Sequence, residues 1–480
     1  MENLLIGRKE EQRILQQALA SKEAEMVAII GRRRVGKTFL VNEVYKDQIA
    51  YEVTGIQNAP RSEQISNFVY HINRRLKAPL HIPLPSNWLN AFMLLISYLE
   101  QPGQAGKKVV FFDELSWLAT TNSGFLRALG FFWNSWAVKQ NVVVVICGSA
   151  ASWMIKKVVN NRGGLHNRIT KRIFLQPFNL SETEEYLRSR KLRFERQAIA
   201  EIYMAMGGIP HYLKEIETGK SAVQNIDHIC FSQNGLLKEE FSRLYSSLFA
   251  HPERHLAIIR ALAGTRQGMT RKKVVETAKL AEGGNTSQVL QELEQSGFIS
   301  SYFPFGKKKK DMLYRLTDEY SLFYLQFIER NKQEGPGTWQ HLSQTQPYKI
   351  WSGYAFENIC LKHIPQIKKA LGIAGIYSTT STFYKKGTGS QKGTQIDLLI
   401  DRNDRVINVF EIKFRRTELT ITAAYAKALR EKLRVFQETT KTRKYLMLSL
   451  ISASGLKHNM HSLGLIEKVL TLDDLFDRPV

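Results

Sequence analysis

The sequence predicts an α/β protein. It has a P-loop parallel-sheet core with a helical lid, then a winged-helix domain and a further α/β domain at the C-terminus. Three observations carry this prediction. Strand-like and helix-like segments alternate through the first 180 residues, as a parallel sheet requires. Residues 31–38 read Gly-Arg-Arg-Arg-Val-Gly-Lys-Thr, directly after the apolar run Met26–Ile30. A second apolar run, ending at Phe112, leads into the acidic pair Asp113-Glu114.

The loop comes first because its chemistry is the most specific. Gly31 and Gly36 let backbone N–H groups close around phosphate oxygens with no Cβ in the way. Lys37 is placed to reach the β- and γ-phosphates, and the Thr38 hydroxyl to hold Mg²⁺. The whole loop, Gly31, Arg32, Arg33, Arg34, Val35, Gly36, Lys37 and Thr38, is therefore the expected nucleoside triphosphate site. Candidate strands span 25–31, 49–55, 108–113, 142–148 and 171–176. The third delivers Asp113 to orient Mg²⁺ and Glu114 to polarise an attacking water. The fourth ends in Gly148-Ser149, where Ser149 either senses the γ-phosphate or caps the next helix. Arg162, Arg168 and Arg172 follow. One guanidinium, with Arg168 preferred at the start of the fifth strand, is expected to act on a neighbouring subunit's nucleotide; solvated loop arginines are the plainer reading.

Composition bounds the partners. There are 68 Lys+Arg against 44 Asp+Glu, a net charge of +24. That excess favours a polyanion, DNA before membrane, since no basic amphipathic anchor stands out. Cys147, Cys230 and Cys360 have neither disulfide nor zinc spacing, which fits a reducing compartment. With no signal-like start and no run long enough to span a bilayer, a cytoplasmic location is expected.

A capping box around Leu180–Glu184 opens a helical region that runs to Gly207-Gly208-Ile209-Pro210. The loop 31–38, Asp113-Glu114, Gly148-Ser149 and this Gly-Gly-Ile-Pro together resemble the archaeal-type ATPase family, relatives of the AAA+/STAND P-loop ATPases. The opening Ile6-Gly7-Arg8 looks like that family's start. The resemblance spans roughly residues 1–240. It implies ATP as cofactor, assembly into homo-oligomers through the ATPase domain, and a lid in which Pro210 senses nucleotide; a plain helix terminator followed by proline is the alternative.

Residues 253–263, 271–280 and 287–295 read as three helices. Two strand-like runs, 298–303 and 312–316, then flank Gly306 and the lysines 307–310. This is a winged-helix pattern. Its basic tip either grips phosphate or is solvated. Glu292 and Glu294 make the third helix a poor base reader, so a non-specific duplex contact or an internal linking role is expected. Glu334–Thr338 reads as a linker.

In the last 140 residues, an apolar strand carries Asp397, and a second, Val406–Phe414, carries Glu411 and Lys413 on one face. A helix upstream carries Glu357. Burying these charges is costly unless they serve one another or a metal. The arrangement resembles the PD-(D/E)XK nuclease superfamily and gives the restriction-endonuclease-like fold expected for 340–480. Gln395-Ile396 stands where the nominal proline would precede Asp397. By that resemblance Asp397, Glu411, the Ile412 carbonyl and Glu357 hold Mg²⁺ or Mn²⁺, while Lys413 positions water. A structural salt-bridge trio is the alternative. A later helix, 423–437, sets Tyr425, Leu429, Leu433 and Phe436 on a packing stripe, and off it Lys427, Arg430 and Arg434 either follow a phosphate backbone or, the plainer reading for each, form a solvated face.

The domains expected are thus 1–180 (P-loop core), 181–250 (lid), 251–330 (winged helix) and 340–480. The function expected is an ATP-regulated, metal-dependent DNA nuclease, in defence or mobile-element processing. The alternatives are an ATP-driven DNA-binding switch with an inactive nuclease fold, and an ATP-set assembly that binds protein or RNA.

Overall fold

Five short strands build the first sheet: β1 (Glu25–Ile30), β2 (Ile49–Thr54), β3 (Lys108–Asp113), β4 (Val142–Gly148) and β5 (Lys171–Phe174). All pair in parallel, in the order β2-β3-β4-β1-β5. Strands buried on both faces read as continuous apolar runs rather than alternating ones, and every residue of β1 and β4 is indeed buried. The predicted strands agree with these to within two residues. One face is covered by a cluster of rings, Phe68, Trp88, Phe92, Phe112, Phe125 and Phe132, each contributing about 1.5–3 kcal/mol through burial. Because β4 lies between β3 and β1, the carboxyl ends that carry Asp113, Ser149 and the loop emerge side by side.

The computed structural model describes residues 5–76, 83–101, 106–120, 122–160, 163–249, 251–307, 309–331, 335–387 and 393–478. Arg162, Lys308 and Glu334 lie outside these residues. No helix among the described residues is long and apolar enough to cross a membrane. The chain divides into two compact units, residues 1–177 with 247–250, and residues 178–246 with 251–480.

In the second unit, the helix Leu180–Ser189 opens on a capping box. The box is made by Asn179, whose side chain accepts from the Glu182 N–H while Glu182 accepts from the Asn179 N–H. The cap therefore sits just ahead of the expected stretch, because Asn179 is the residue in extended conformation. Gly207 ends the next helix at φ 68°. A Cβ on Gly208 would fall 1.9 Å from the Phe178 carbonyl oxygen, so the glycine pair has a packing reason of its own. Pro210 is the first residue of the helix Pro210–Leu213.

Helices Pro252–Ala263, Arg271–Thr277 and Gly284–Gln295 follow, the third starting three residues earlier than expected. They accompany an antiparallel sheet of β6 (Met269–Thr270), β7 (Ile299–Tyr302) and β8 (Leu313–Leu316), ordered β6-β8-β7. Beyond β7 the chain is not free: the Phe305 N–H donates to the Thr382 carbonyl at 2.8 Å, and the Phe305 ring lies 5.1 Å from Phe436. This hairpin is fastened to the C-terminal sheet through Phe305.

That sheet comprises β9 (Ser378–Lys385), β10 (Thr394–Arg402) and β11 (Val406–Lys413), and two later strands. Between them, β12 (Leu419–Thr420) pairs apart with β14 (Leu456–Lys457). With β13 (Tyr445–Ser452) and β15 (Lys468–Leu470) the order is β15-β13-β11-β10-β9. β9, β10 and β11 run antiparallel; β11, β13 and β15 run parallel. The helix Ala423–Thr440 covers the core through Leu429 and Phe436, against Leu399, Val409 and Leu448. The stretch read as a linker is pinned: Gly337 and Trp339 N–H groups donate to Asp227 at 2.8 and 2.6 Å, and Trp339 is buried among Phe231, Phe323, Phe327 and Trp351.

Candidate functional site

Two groups of charged residues stand out, one in each unit. In the first, the loop turns through left-handed backbone at Arg34 (φ 71°) and Gly36 (φ 93°), a conformation that suits glycine and strains arginine. A Cβ on Gly31 would meet the Leu175 carbonyl at 2.5 Å. Lys37, 5% exposed, donates from Nζ to the carbonyls of Gly31 (2.9 Å) and Arg32 (3.1 Å). Among the described residues its ammonium is thus held over the loop by neutral acceptors alone. The Thr38 hydroxyl donates to Asp113 Oδ2 at 2.6 Å. Burial pushes the Asp113 carboxyl above its ordinary value, and the Thr38 bond works against that shift. A hydroxyl paired with a buried carboxylate is the donor chemistry a Mg²⁺ ion takes at such loops.

Glu114 sits just past β3 at φ 45°, ψ 53°. A non-glycine residue in this region is strained, and such strain gathers at functional positions. The Ser149 hydroxyl and N–H both donate to Glu114 Oε2, at 2.7 and 3.2 Å. The following helix, Ala151–Met154, has Ala150 before it and no side-chain cap. Ser149 therefore holds the glutamate and does not cap the helix. Arg8, beside the loop, donates to the Val35 carbonyl at 3.4 Å, and Arg33 lies 5.8 Å over the Trp117 ring. Arg168 is exposed, in a turn that ends three residues before β5. Pro210 belongs to the second unit.

In the second unit, Asp397 follows the register Leu398↔Phe410 of β10 and β11, which sets it opposite Glu411. The Ile412 N–H donates to Asp397 Oδ2 and the Gln395 amide to Oδ1, both at 3.4 Å. Glu411, 3% exposed, receives Lys413 Nζ at 2.6 Å on Oε1 and Lys432 Nζ at 2.6 Å on Oε2. The Tyr425 hydroxyl adds a bond at 2.9 Å. Lys413 also donates to the Ile412 carbonyl at 3.2 Å. Glu357 is paired with Arg315 at 3.2 Å, and that guanidinium stacks on Tyr354.

The electrostatics follow from these partners. Burial, then the Asp397 charge, pushes the Glu357 carboxyl up to about 7. Burial and the Glu411 charge raise Asp397. Burial acts the same way on Glu411, but Lys413 and Lys432 outweigh it and hold that carboxyl below its ordinary value. Among the described residues, no group of three or more His, Cys, Asp or Glu side chains is arranged to hold a metal ion. Glu357 is turned to Arg315. The remaining donors, two carboxylates and the Ile412 carbonyl, are hard oxygen ligands that suit a divalent cation.

Sequence reasoning did not single out Lys432 or Arg315. A readable signal existed for each. Lys432 lies seven residues after Tyr425, on the packing face of its helix, and Arg315 interrupts an apolar strand while being only 4% exposed. Of the two readings for Arg434, a phosphate contact or a solvated face, the structure fits the second: it is exposed and paired with Glu431 and Glu438 at 2.6 and 2.7 Å.

Residues 5–216 match the family described as an ATPase domain predominantly from Archaea. The chain is 22% identical over 419 residues to the uncharacterized protein MJECL04 of Methanocaldococcus jannaschii, covering 86% of this chain and 88% of that one. It is similar to the solved Walker-type ATPase PABY2304 of Pyrococcus abyssi, at 17% identity and a TM-score of 0.49, over 67% of this chain and 96% of the other. It is also similar to the ORC2 protein of Aeropyrum pernix in its ADPNP–ADP complexes, at 16% identity and a TM-score of 0.41, over 72% and 98%. The amino-terminal region thus matches an archaeal-type ATPase domain, and it is built on a parallel five-stranded sheet.

Proposed function

We propose that this protein hydrolyses ATP at the loop 31–38 and uses that cycle to control metal-dependent cleavage of DNA by its C-terminal domain. The observation that carries the reading is the pairing of Thr38 with Asp113 beside a Ser149-held Glu114. In it, Gly31 to Lys37 bind the phosphates, Thr38 and Asp113 hold Mg²⁺, and Glu114 accepts a proton from the attacking water. Arg168 acts across a homo-oligomer interface and Pro210 senses nucleotide from the lid. The four-part division at 180, 250, 330 and 340, with a winged helix in third place, belongs to the same proposal, as does action in the cytoplasm.

For the rear site, the support is the placement of Asp397 and Glu411–Lys413 on adjacent antiparallel strands, between the helices that carry Glu357 and Lys432. Asp397, Glu411 and the Ile412 carbonyl would hold Mg²⁺ or Mn²⁺, with Glu357 behind them. The ion's chemistry there is to lower the pKa of a bound water and polarise the phosphate. Lys413 would orient an attacking water and meet the negative charge that builds on the phosphate oxygens. The net charge of +24 favours a nucleic-acid substrate.

A second reading is favoured by the ion pairs themselves. With Lys413 and Lys432 on Glu411 and Arg315 on Glu357, the acids are already neutralised, as in a DNA-binding switch whose nuclease fold is inactive. Purified protein with plasmid, Mg²⁺ or Mn²⁺, and ATP separates the two. The nuclease reading expects cleavage that Asp397→Ala abolishes and Lys37→Ala deregulates. Plasmid left equally intact by wild type and Asp397→Ala, with DNA-stimulated ATP turnover, selects the switch.

A further inference from the structure

We infer that Lys432 is a built-in counter-ion of the rear site, one that keeps divalent metal weakly bound until a DNA phosphate arrives. This rests on the nuclease reading above. Three carboxylates, Glu357, Asp397 and Glu411, face three cations, Arg315, Lys413 and Lys432, so cationic side chains already match the acidic ones in number without metal. Glu411 takes one ammonium on each oxygen, and a metal ligated by Glu411 and Asp397 must displace at least one of them. Lys413 is tethered two residues away on the same strand and also bonds the Ile412 carbonyl. Both ammoniums are part-exposed, at 35% for Lys413 and 28% for Lys432, but Lys432 comes from a separate helix without that second bond, so its ammonium is the one a metal displaces.

Adding a divalent ion to a largely buried group whose acids are already matched by cations leaves positive charge uncompensated, which is costly away from water. A phosphodiester supplies negative charge and gives the released ammonium a charge-assisted partner. Metal and phosphate therefore bind cooperatively, and by linkage each tightens the other by the same factor.

An independent observation points to a ligand at the same place. Ser452 is 0% exposed and its Oγ has no hydrogen-bond partner. It pairs in register with Lys413 on the neighbouring parallel strand, so the two side chains share a face of the sheet. Buried hydroxyls are nearly always bonded; this one lacks an acceptor that a bound water or phosphate oxygen would provide.

The test is Mn²⁺ binding to the full-length, nucleotide-free protein, read as free Mn²⁺ by electron paramagnetic resonance, with and without a short phosphorothioate duplex. Asp397→Asn defines the rear-site component and the duplex's own uptake. Wild-type rear-site affinity is expected to rise about tenfold with duplex. Lys432→Met is expected to bind Mn²⁺ about tenfold more tightly without DNA and to lose the duplex-induced gain, while Lys432→Arg behaves as wild type. Equal wild-type affinity with and without duplex overturns the inference, and this needs no variant to fold. So does a Lys432→Met protein of unchanged melting temperature whose metal affinity is unaltered or weaker. If wild type and Asp397→Asn take up Mn²⁺ identically, the nuclease reading itself fails and the counter-ion role falls with it.

Discussion

In the front pocket Lys37 donates to the neutral carbonyls of Gly31 and Arg32, whereas in the rear pocket Lys413 and Lys432 both close on the carboxylate of Glu411. Bonds from an ammonium to neutral carbonyls are worth about 1.5–3 kcal/mol net, and they yield to a phosphate because no counter-charge is left behind. An ammonium on a buried carboxylate is far harder to move, because separating the pair leaves two uncompensated charges. The front pocket is thus arranged to accept an anion directly. The rear one is balanced internally and opens only to something that brings charge of its own.

The largest effect expected from breaking this contrast is at Glu411. Glu411→Gln leaves two lysines without their counter-charge, and thermal or urea unfolding is expected to show a loss of about 3–5 kcal/mol at pH 7. The sign with pH is fixed by the lowered carboxyl value. Stability from Glu411 is present above the ordinary glutamate value and is lost as pH falls through the lower, folded one. The gap between wild type and Glu411→Gln should therefore close in acid; a gap that stays constant down to pH 2 contradicts the ion-pair account.

Glu357 runs the other way. Its carboxyl is raised to about 7, so ionising it costs stability as pH climbs from the ordinary value through 7. Glu357→Gln in EDTA is expected to be more stable than wild type at pH 8 by an amount on the order of 1–3 kcal/mol. That gain should vanish by pH 4. A melting temperature that drops at pH 8 would mean that the ionised carboxylate is needed to hold Arg315.

A smaller effect sharpens the front pocket. Ser149→Ala removes the hydroxyl that holds Glu114, and a drop in kcat of about tenfold with little change in KM is expected from a loosened base. An equal rise in KM would assign Ser149 to nucleotide binding. The smallest effect concerns the C-terminal helix. Lys427→Ala and Arg430→Ala are each expected to reduce the salt dependence of DNA binding by about one ion, while Arg434→Ala leaves it unchanged because its charge is already met by Glu431 and Glu438.

The parts of both pockets that were legible are those written over a few adjacent residues. Glycines at 31 and 36, an apolar run ending in Asp113-Glu114, and carboxylates set in apolar strands at 397 and 411 are local patterns, and local backbone physics reads them. The strand boundaries and the carriage of Glu357 on a helix follow from the same periodicities. The cap at Asn179 was missed by a short slip, since capping turns on one residue's backbone angles.

The sequence alone thus determined which elements form and which residues stand at the ends of the first sheet, because hydrophobic period and turn chemistry act between near neighbours. Only the tertiary structure decided who partners whom. Ser149 is 35 residues from Glu114, Lys432 is 21 from Glu411, and Arg315 is 42 from Glu357. Each pair is made by packing elements from different parts of the chain. A charge has no preferred partner until burial removes the water that would otherwise serve it.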